Sequence, residues 1–324
     1  MKKETMIAKK KQNLSEENKL MAKALLQALD RSYYLKSLGF SCFDWQIDVL
    51  RSPAKRKVIN GARQSGKSTV VSAVPAHTAR FYPGSISIIG APTENQANET
   101  MNKVIAFISR DPDYPELKKC STEEVELSNG SRIIVRTAKS DTFRGYSCPR
   151  VIILDEASRI EEDAYTSGAR PMLTDNPNGE LYLISTPFGK EGFFYEAMND
   201  TTGVWSRWNI RSPYTVIGTG TEAHLEEYMT SEEFERLGEN KGIKNYFSPR
   251  HRDLSFQSEQ LTEMGIMQYR QEYETLFIEK QGQVFSYDEI QDMFVHTKED
   301  LLTIERRALN TGGKSDSHPI SFAV

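Results

Sequence analysis

Residues 61–68 read Gly-Ala-Arg-Gln-Ser-Gly-Lys-Ser, a complete GxxxxGK[ST] stretch, and this loop restricts the architecture around it more than any other feature of the chain. Such a loop works only between a buried strand and a helix. The strand fixes where it starts, the glycines let successive N–H groups curl inward, and the helix N-terminus adds partial positive charge. Lys67 then offers a point charge to β- and γ-phosphates and Ser68 a hydroxyl to Mg²⁺, so a nucleoside triphosphate is the expected ligand. Gly61, Arg63, Gln64, Ser65, Gly66, Lys67, Ser68 and Thr69 are its expected contacts. The flanks agree: Lys57-Val58-Ile59-Asn60 is a short apolar run, and Ser68 to Arg80 carries Val70, Val71, Ala73 and Val74 at helical spacing, with an interruption or shift expected near Pro75.

The rest of the first two thirds alternates between the two periods. Ser15, as an N-cap, begins a helix through Leu20, Ala24, Leu25, Ala28 and Leu29, and Phe43-Asp44-Trp45-Gln46 opens a second amphipathic stretch. Ser85–Ala91 reads as a buried strand, Asn95–Ser109 as a helix, and Glu123–Arg136 as a hairpin turning at Asn129-Gly130. Strand Val151–Leu154, a helical stretch Ala164–Leu173, strand Leu181–Ser185, a helix from Glu191 and a strand around Trp205–Ile210 follow. Strands joined by helices make a parallel sheet that binds ligands at its carboxyl edge. The expected fold class is α/β, a RecA/ASCE-type P-loop NTPase with a mainly parallel sheet flanked by helices and a small helical or irregular lid. Past Ser212 the rhythm weakens, and Glu222–Leu237 and Ser258–Tyr273 are the best helix candidates. The expected division is an N-terminal helical segment (1–40), a P-loop core (41–211), a lid (212–285) and a partly disordered extension (286–324).

Composition narrows the class by exclusion. No apolar run approaches the ~20 residues of a membrane span, and Cys42, Cys120 and Cys148 are too few and too dispersed for a disulfide framework or a zinc cluster. The lysines at positions 2, 3, 9, 10 and 11 precede no apolar signal core, so a solvated, frayed terminus is expected. With a net charge of −4, any contact to nucleic acid has to come from a local basic patch.

Val151-Ile152-Ile153-Leu154-Asp155-Glu156 has the form of a strand ending in two carboxylates. Asp155 is expected to hold Mg²⁺ opposite Ser68, and Glu156, projecting differently because side chains alternate along a strand, to deprotonate the attacking water. Positive charge for the transition state is expected from Arg63, inside the loop and acting in cis, or from Arg144 in Thr142-Phe143-Arg144-Gly145.

Phe43-Asp44-Trp45-Gln46, the arginine-bearing phosphate loop, Phe143-Arg144-Gly145, Leu154-Asp155-Glu156-Ala157, Ser185-Thr186-Pro187 and Tyr269-Arg270-Gln271-Glu272-Tyr273 occur in the order seen in large terminase subunits of tailed bacteriophages. Over roughly residues 35–285 the chain resembles their ATPase domain. The resemblance implies that Gln46 contacts adenine, that Ser185 and Thr186 couple hydrolysis to movement, and that the cofactors are ATP and Mg²⁺. It also implies an ATP-driven translocase of double-stranded DNA that packages a genome in the host cytoplasm. Its partners would be a portal protein and a small terminase subunit, and it would form a homo-oligomeric ring when packaging and a monomer in solution. The family continues into a nuclease, whereas Asp288, Glu289 and Asp292 here read as a solvated face, so an ATPase without nuclease activity is expected. Two rivals remain open at this level: a superfamily-two helicase or restriction-type translocase, which needs a second RecA-like lobe, and an ATP-dependent switch or assembly module that hardly hydrolyses.

Overall fold

Lysine, glutamate, alanine and leucine, all good helix formers, dominate the first thirty residues. In the computed structural model they form one long helix, α1 (Lys2–Leu29). The structure describes residues 2–139, 145–174, 176, 178–239 and 241–279, with side chains from residue 16. Ser15 is therefore inside a helix that already runs through the basic tip, not at its cap. Asp30 ends it and caps the next, α2 (Arg31–Ser37), by accepting from the N–H groups of Ser32 and Tyr33. After α3 (Asp44–Arg51) comes β1 (Arg56–Gly61), then the phosphate loop and α4 (Lys67–Phe81). The interruption expected at Pro75 does not occur. α4 runs through it, and the uninterrupted burial of Val70–Ala79 shows why: a helix packed on every side gains enough to carry one lost backbone hydrogen bond.

Next come β2 (Ile86–Ala91), α5 (Glu94–Ile108), β3 (Leu117–Cys120), β4 (Glu124–Leu127), β5 (Arg132–Thr137), β6 (Val151–Asp155), β7 (Glu180–Ser185), α6 (Gly192–Met198), β8 (Ser206–Arg211), β9 (Tyr214–Ile217), β10 (His224–Glu227), α7 (Ser231–Glu239), β11 (Ile243–Phe247), α8 (Leu254–Met264) and α9 (Ile266–Glu272). Between β6 and β7 the expected helical stretch is a π turn over Ala164–Ala169 followed by a short 3₁₀ turn.

Nine strands form one sheet in the order β11-β8-β1-β7-β6-β2-β5-β4-β3. All neighbours from β11 to β5 run parallel, and only the β5-β4-β3 edge is antiparallel. β7 pairs with β1 on one side and β6 on the other, so Ser185 lies beside Asn60 and Ile184 beside Asp155. Side-chain alternation splits the core in two. Ile59, Ile153 and Ile184 face the layer holding α3, α4 and α5, while Val58, Ile152, Leu154 and Leu183 face α6 and the π turn. The result is a sheet with helices on both faces.

The region past Ser212 differs most from expectation. Glu222–Leu237 is not one helix: His224–Glu227 pairs with β9 as a hairpin, and α7 begins only at Ser231. Ser258–Tyr273 is broken by Gly265, whose φ of +78° disfavours any side chain and ends α8. Phe247 and the four residues before it extend the main sheet as β11, so the 211/212 boundary runs through the P-loop core. The described residues past Arg211 thus supply an edge strand and a two-stranded hairpin, with no second parallel sheet among them. The expected C-terminal extension, including Asp288, Glu289 and Asp292, lies outside the described residues.

Candidate nucleotide site

The phosphate loop begins where β1 ends, and its two glycines are needed for different reasons. A Cβ on Gly61 would come within 2.7 Å of the Lys67 side chain, and Gly66 has a φ of +99°. Gln64, at φ 57°, also takes the left-handed conformation that curls the loop. A cavity of about 380 Å³ opens here, lined by Arg63–Thr69 together with Lys103, Glu156, Thr186, Arg250, His251 and Phe256. Ser65 has no exposed surface, and its Oγ has no hydrogen-bond partner. Such an orphaned hydroxyl suits a loop built to meet phosphate oxygens.

Lys67 Nζ donates to the carbonyls of Gly61 (2.6 Å) and Ala62 (2.8 Å) and to Thr186 Oγ1 (3.2 Å). Burial pulls its pKa down, and the Glu156 and Asp155 carboxylates oppose that shift. Across the cleft, Ser68 Oγ donates to Asp155 Oδ1 at 3.1 Å, and Thr100 Oγ1 donates to Oδ2 at 2.9 Å. Burial, then the neighbouring Glu156, raises the Asp155 pKa. A buried carboxylate beside a hydroxyl, with no ion-paired cation among the described residues, suits a divalent cation. No cluster of three or more His, Cys, Asp or Glu is found among those residues, so water and phosphate oxygens would complete the shell, as Mg²⁺ prefers.

Glu156 reaches its position by a different route from strand alternation. Its φ of 52° and ψ of 44° turn it out of β6, a costly conformation for a non-glycine residue and one that recurs at functional sites. Ser185 Oγ donates to Glu156 Oε2 at 3.2 Å. The tip of β7 therefore touches both halves of the site, Ser185 holding the carboxylate and Thr186 the lysine.

Gln46 packs beneath the loop, its Oε1 accepting from the Phe43 N–H (3.0 Å) and its Nε2 reaching the Gly66 carbonyl (3.5 Å). It does not line the cavity, and its amide bonds hold the loop in place. Arg63 lines the cavity with its side chain exposed, and its N–H donates to the Glu272 carbonyl at 2.8 Å. That bond ties the Tyr269–Tyr273 segment to the phosphate loop. Arg144 lies outside the described residues.

Two cations escaped sequence reasoning. Arg250, in the turn after β11, donates to the Gln64 carbonyl at 3.4 Å, and Lys103 lines the cavity one turn after Thr100 on α5. Only the β-rich run Ile243–Phe247 hinted that chain after Ser212 returns to the sheet edge. His251, beside Arg250, is buried, which lowers its pKa to about 4 and keeps it neutral.

A strand inserted between the phosphate-loop strand and the acidic strand, with a second carboxylate, Glu156, directly after the strand-end Asp155, defines a RecA-like P-loop NTPase. The sequence profile described as Terminase large subunit, T4likevirus-type, N-terminal, matches residues 58–292, and the chain belongs to that family. The large terminase subunit of Thermus phage G20c is 31% identical over 186 residues, covering 50% of this chain and 37% of the relative. That of Escherichia phage T5 is 28% identical over 262 residues, covering 76% of this chain and 50% of the relative. The chain thus spans half or less of the length of these relatives. Among solved structures, the large terminase ATPase domain of Thermus phage P74-26 superposes with a TM-score of 0.56 at 23% identity, covering 76% of this chain and 97% of that domain. The HK97 bacteriophage large terminase gives 0.54 at 14% identity, covering 74% and 51%. These likenesses establish the fold.

Proposed function

We propose that this chain is the ATP-hydrolysing unit of a motor that drives double-stranded viral DNA into a procapsid. One observation carries the reading: adjacent residues at the tip of β7 contact the proposed base, Glu156, and the phosphate-loop lysine, Lys67. A site built only to hold nucleotide has no need of that link, whereas a motor has to transmit phosphate occupancy into its sheet.

In this reading Ser68 and Asp155 would hold Mg²⁺, which would supply charge neutralisation for the phosphates. Lys67 moves its donors from the Gly61 and Ala62 carbonyls to phosphate oxygens, Ser65 gains an acceptor, and adenine lies near Gln46. Glu156 takes the proton of the attacking water, whose oxygen bonds to the γ-phosphorus as ADP leaves. Arg63 supplies transition-state charge in cis, and Arg144 is the candidate donated by a neighbour in a ring. Duplex DNA, a portal protein and a small terminase subunit are the proposed partners, and the host cytoplasm is the proposed location. Among the described residues no helix is long and apolar enough to cross a membrane.

ATP turnover measured with and without duplex DNA, alongside DNA uptake into procapsids, tests the reading. Absence of any nucleotide hydrolysis by the assembled complex would overturn it. Thr186→Val keeps the volume of the side chain and removes its hydroxyl, and because the bond lost joins it to the Lys67 ammonium rather than to nucleotide, nucleotide affinity is expected to change by no more than about tenfold. DNA movement per ATP hydrolysed is expected to fall. Arg250→Ala is expected to raise the KM for ATP about tenfold, as loss of one charge-assisted bond to phosphate does, with kcat nearly unchanged. Arg250→Lys is expected to recover part of that loss.

A further inference from the structure

A second cavity, of about 400 Å³, opens at the edge of the sheet opposite the phosphate loop. Its floor is the amino ends of three adjacent strands: Lys55 precedes β1, Glu180 starts β7 and Arg150 precedes β6. Arg31 and Arg51 come in from the helical side. Among the described residues, four cations thus face two carboxylates, Asp30 and Glu180, and both carboxylates are already engaged. Asp30 accepts from Arg51 at 2.7 Å while capping α2, and Glu180 is shared between Arg31 and the buried Lys57. His77, also in the wall, adds no charge because burial lowers its pKa to about 4.

Arg150 stands apart from the others. Its guanidinium lies 3.7 Å from the centroid of the Tyr82 ring, and its side chain makes no hydrogen bond or ion pair among the described residues. Its Nε is cut off from solvent and has no partner. A guanidinium keeps its charge at any pH the protein meets and presents a rigid fork of donors that matches phosphate. Stacked on an aromatic face with those donors unused, in a cavity of excess positive charge, it is arranged to receive an anion.

We propose that this cavity binds a phosphate group, with Arg150 as its principal donor and Lys55 at its rim. Two sources share that chemistry, a phosphodiester of the DNA backbone and a free polyphosphate compound. Only the first rests on the motor reading above.

The test uses the full chain with ADP saturating the phosphate loop, comparing wild type with Arg150→Ala and with Lys55→Glu, at an exposed position. The probes are inorganic tripolyphosphate, titrated calorimetrically, and a duplex of about 30 base pairs, followed by anisotropy across a salt series. Tripolyphosphate affinity is expected to fall about tenfold in each variant, the scale of one charge-assisted bond. If DNA is the source, duplex affinity falls too, and the slope of log affinity against log salt shrinks by about one per variant. Weakened tripolyphosphate binding with unchanged duplex binding assigns the site to a free phosphate compound. Unchanged affinity for both probes in both variants, or a wild type that binds neither, overturns the proposal. ATP turnover without DNA is expected to be unchanged in both variants. A wild type that lacks turnover sinks the motor reading and leaves the tripolyphosphate titration readable.

Discussion

Glu156→Gln is expected to lower ATP turnover by about 10²–10⁴-fold, the range general-base removal produces, while nucleotide affinity stays within ~3-fold. The substitution is nearly isosteric, and the geometry around it is independent of the charge. The left-handed backbone at residue 156 is set by the chain leaving β6, and Ser185 Oγ still finds an acceptor in the amide oxygen. What disappears is the carboxylate proposed to accept the proton from water. Asp155→Asn should behave differently. Asp155 contacts Ser68 and Thr100 and is the proposed metal ligand, so its loss should weaken Mg²⁺-dependent binding and turnover together. Phosphate release assayed beside binding of a fluorescent nucleotide separates the two cases. Turnover by Glu156→Gln above a tenth of wild type would remove Glu156 from the role of base.

What the sequence made legible follows the range over which each signal acts. Gly61–Ser68 and Val151–Glu156 are local: a strand, a turn and a few side chains carry their function, so their placement could be read directly. Ser185-Thr186 stood out only through the family resemblance, because its contacts depend on β7 lying between β1 and β6, a pairing of segments far apart in the chain. Arg250 was invisible because its importance comes from β11 returning to the sheet edge beside β8, a pairing made 36 residues after the matching residue of β8 (Lys244 beside Trp208). Acidic residues in Glu222–Leu237 favoured a helix, yet Val216 and Leu225 pack in the small lid core with Leu261, Tyr269 and Tyr273, and burial there decided for a hairpin. Helical spacing in α1 correctly announced a helix but not a buried one. Leu20, Met21, Leu25, Leu26 and Leu29 are all exposed. Periodicity reports which side chains share a face, not whether anything covers it.

The same limit hid the group whose removal should cost the fold most. Glu180 starts β7 between the buried Lys57 and the mostly buried Arg31. Its Oε1 accepts from Arg31 Nη2 at 2.5 Å and its Oε2 from Lys57 Nζ at 2.8 Å, with Tyr182 donating to Oε2 at 2.7 Å. Lys57 has no exposed side-chain surface, and the Arg31 side chain is 14% exposed. Glu180→Ala leaves both charges with no counterion in the interior, a loss of about 3–5 kcal/mol. For a chain this size that corresponds to a fall in Tm of about 4–7 °C. Acid titration supplies an independent check. Burial alone would raise the Glu180 pKa, but the two cations outweigh it and hold the carboxyl far below its usual range. A depressed folded-state pKa means the stabilisation is fully present above the unfolded value of about 4.3 and is lost as pH falls from there toward the folded value. The stability gap between wild type and Glu180→Ala should therefore be constant from neutral pH down to about 5 and narrow below it. A gap that persists undiminished at pH 3 would mean that packing around residue 180, not its charge, holds α2 to the foot of the sheet.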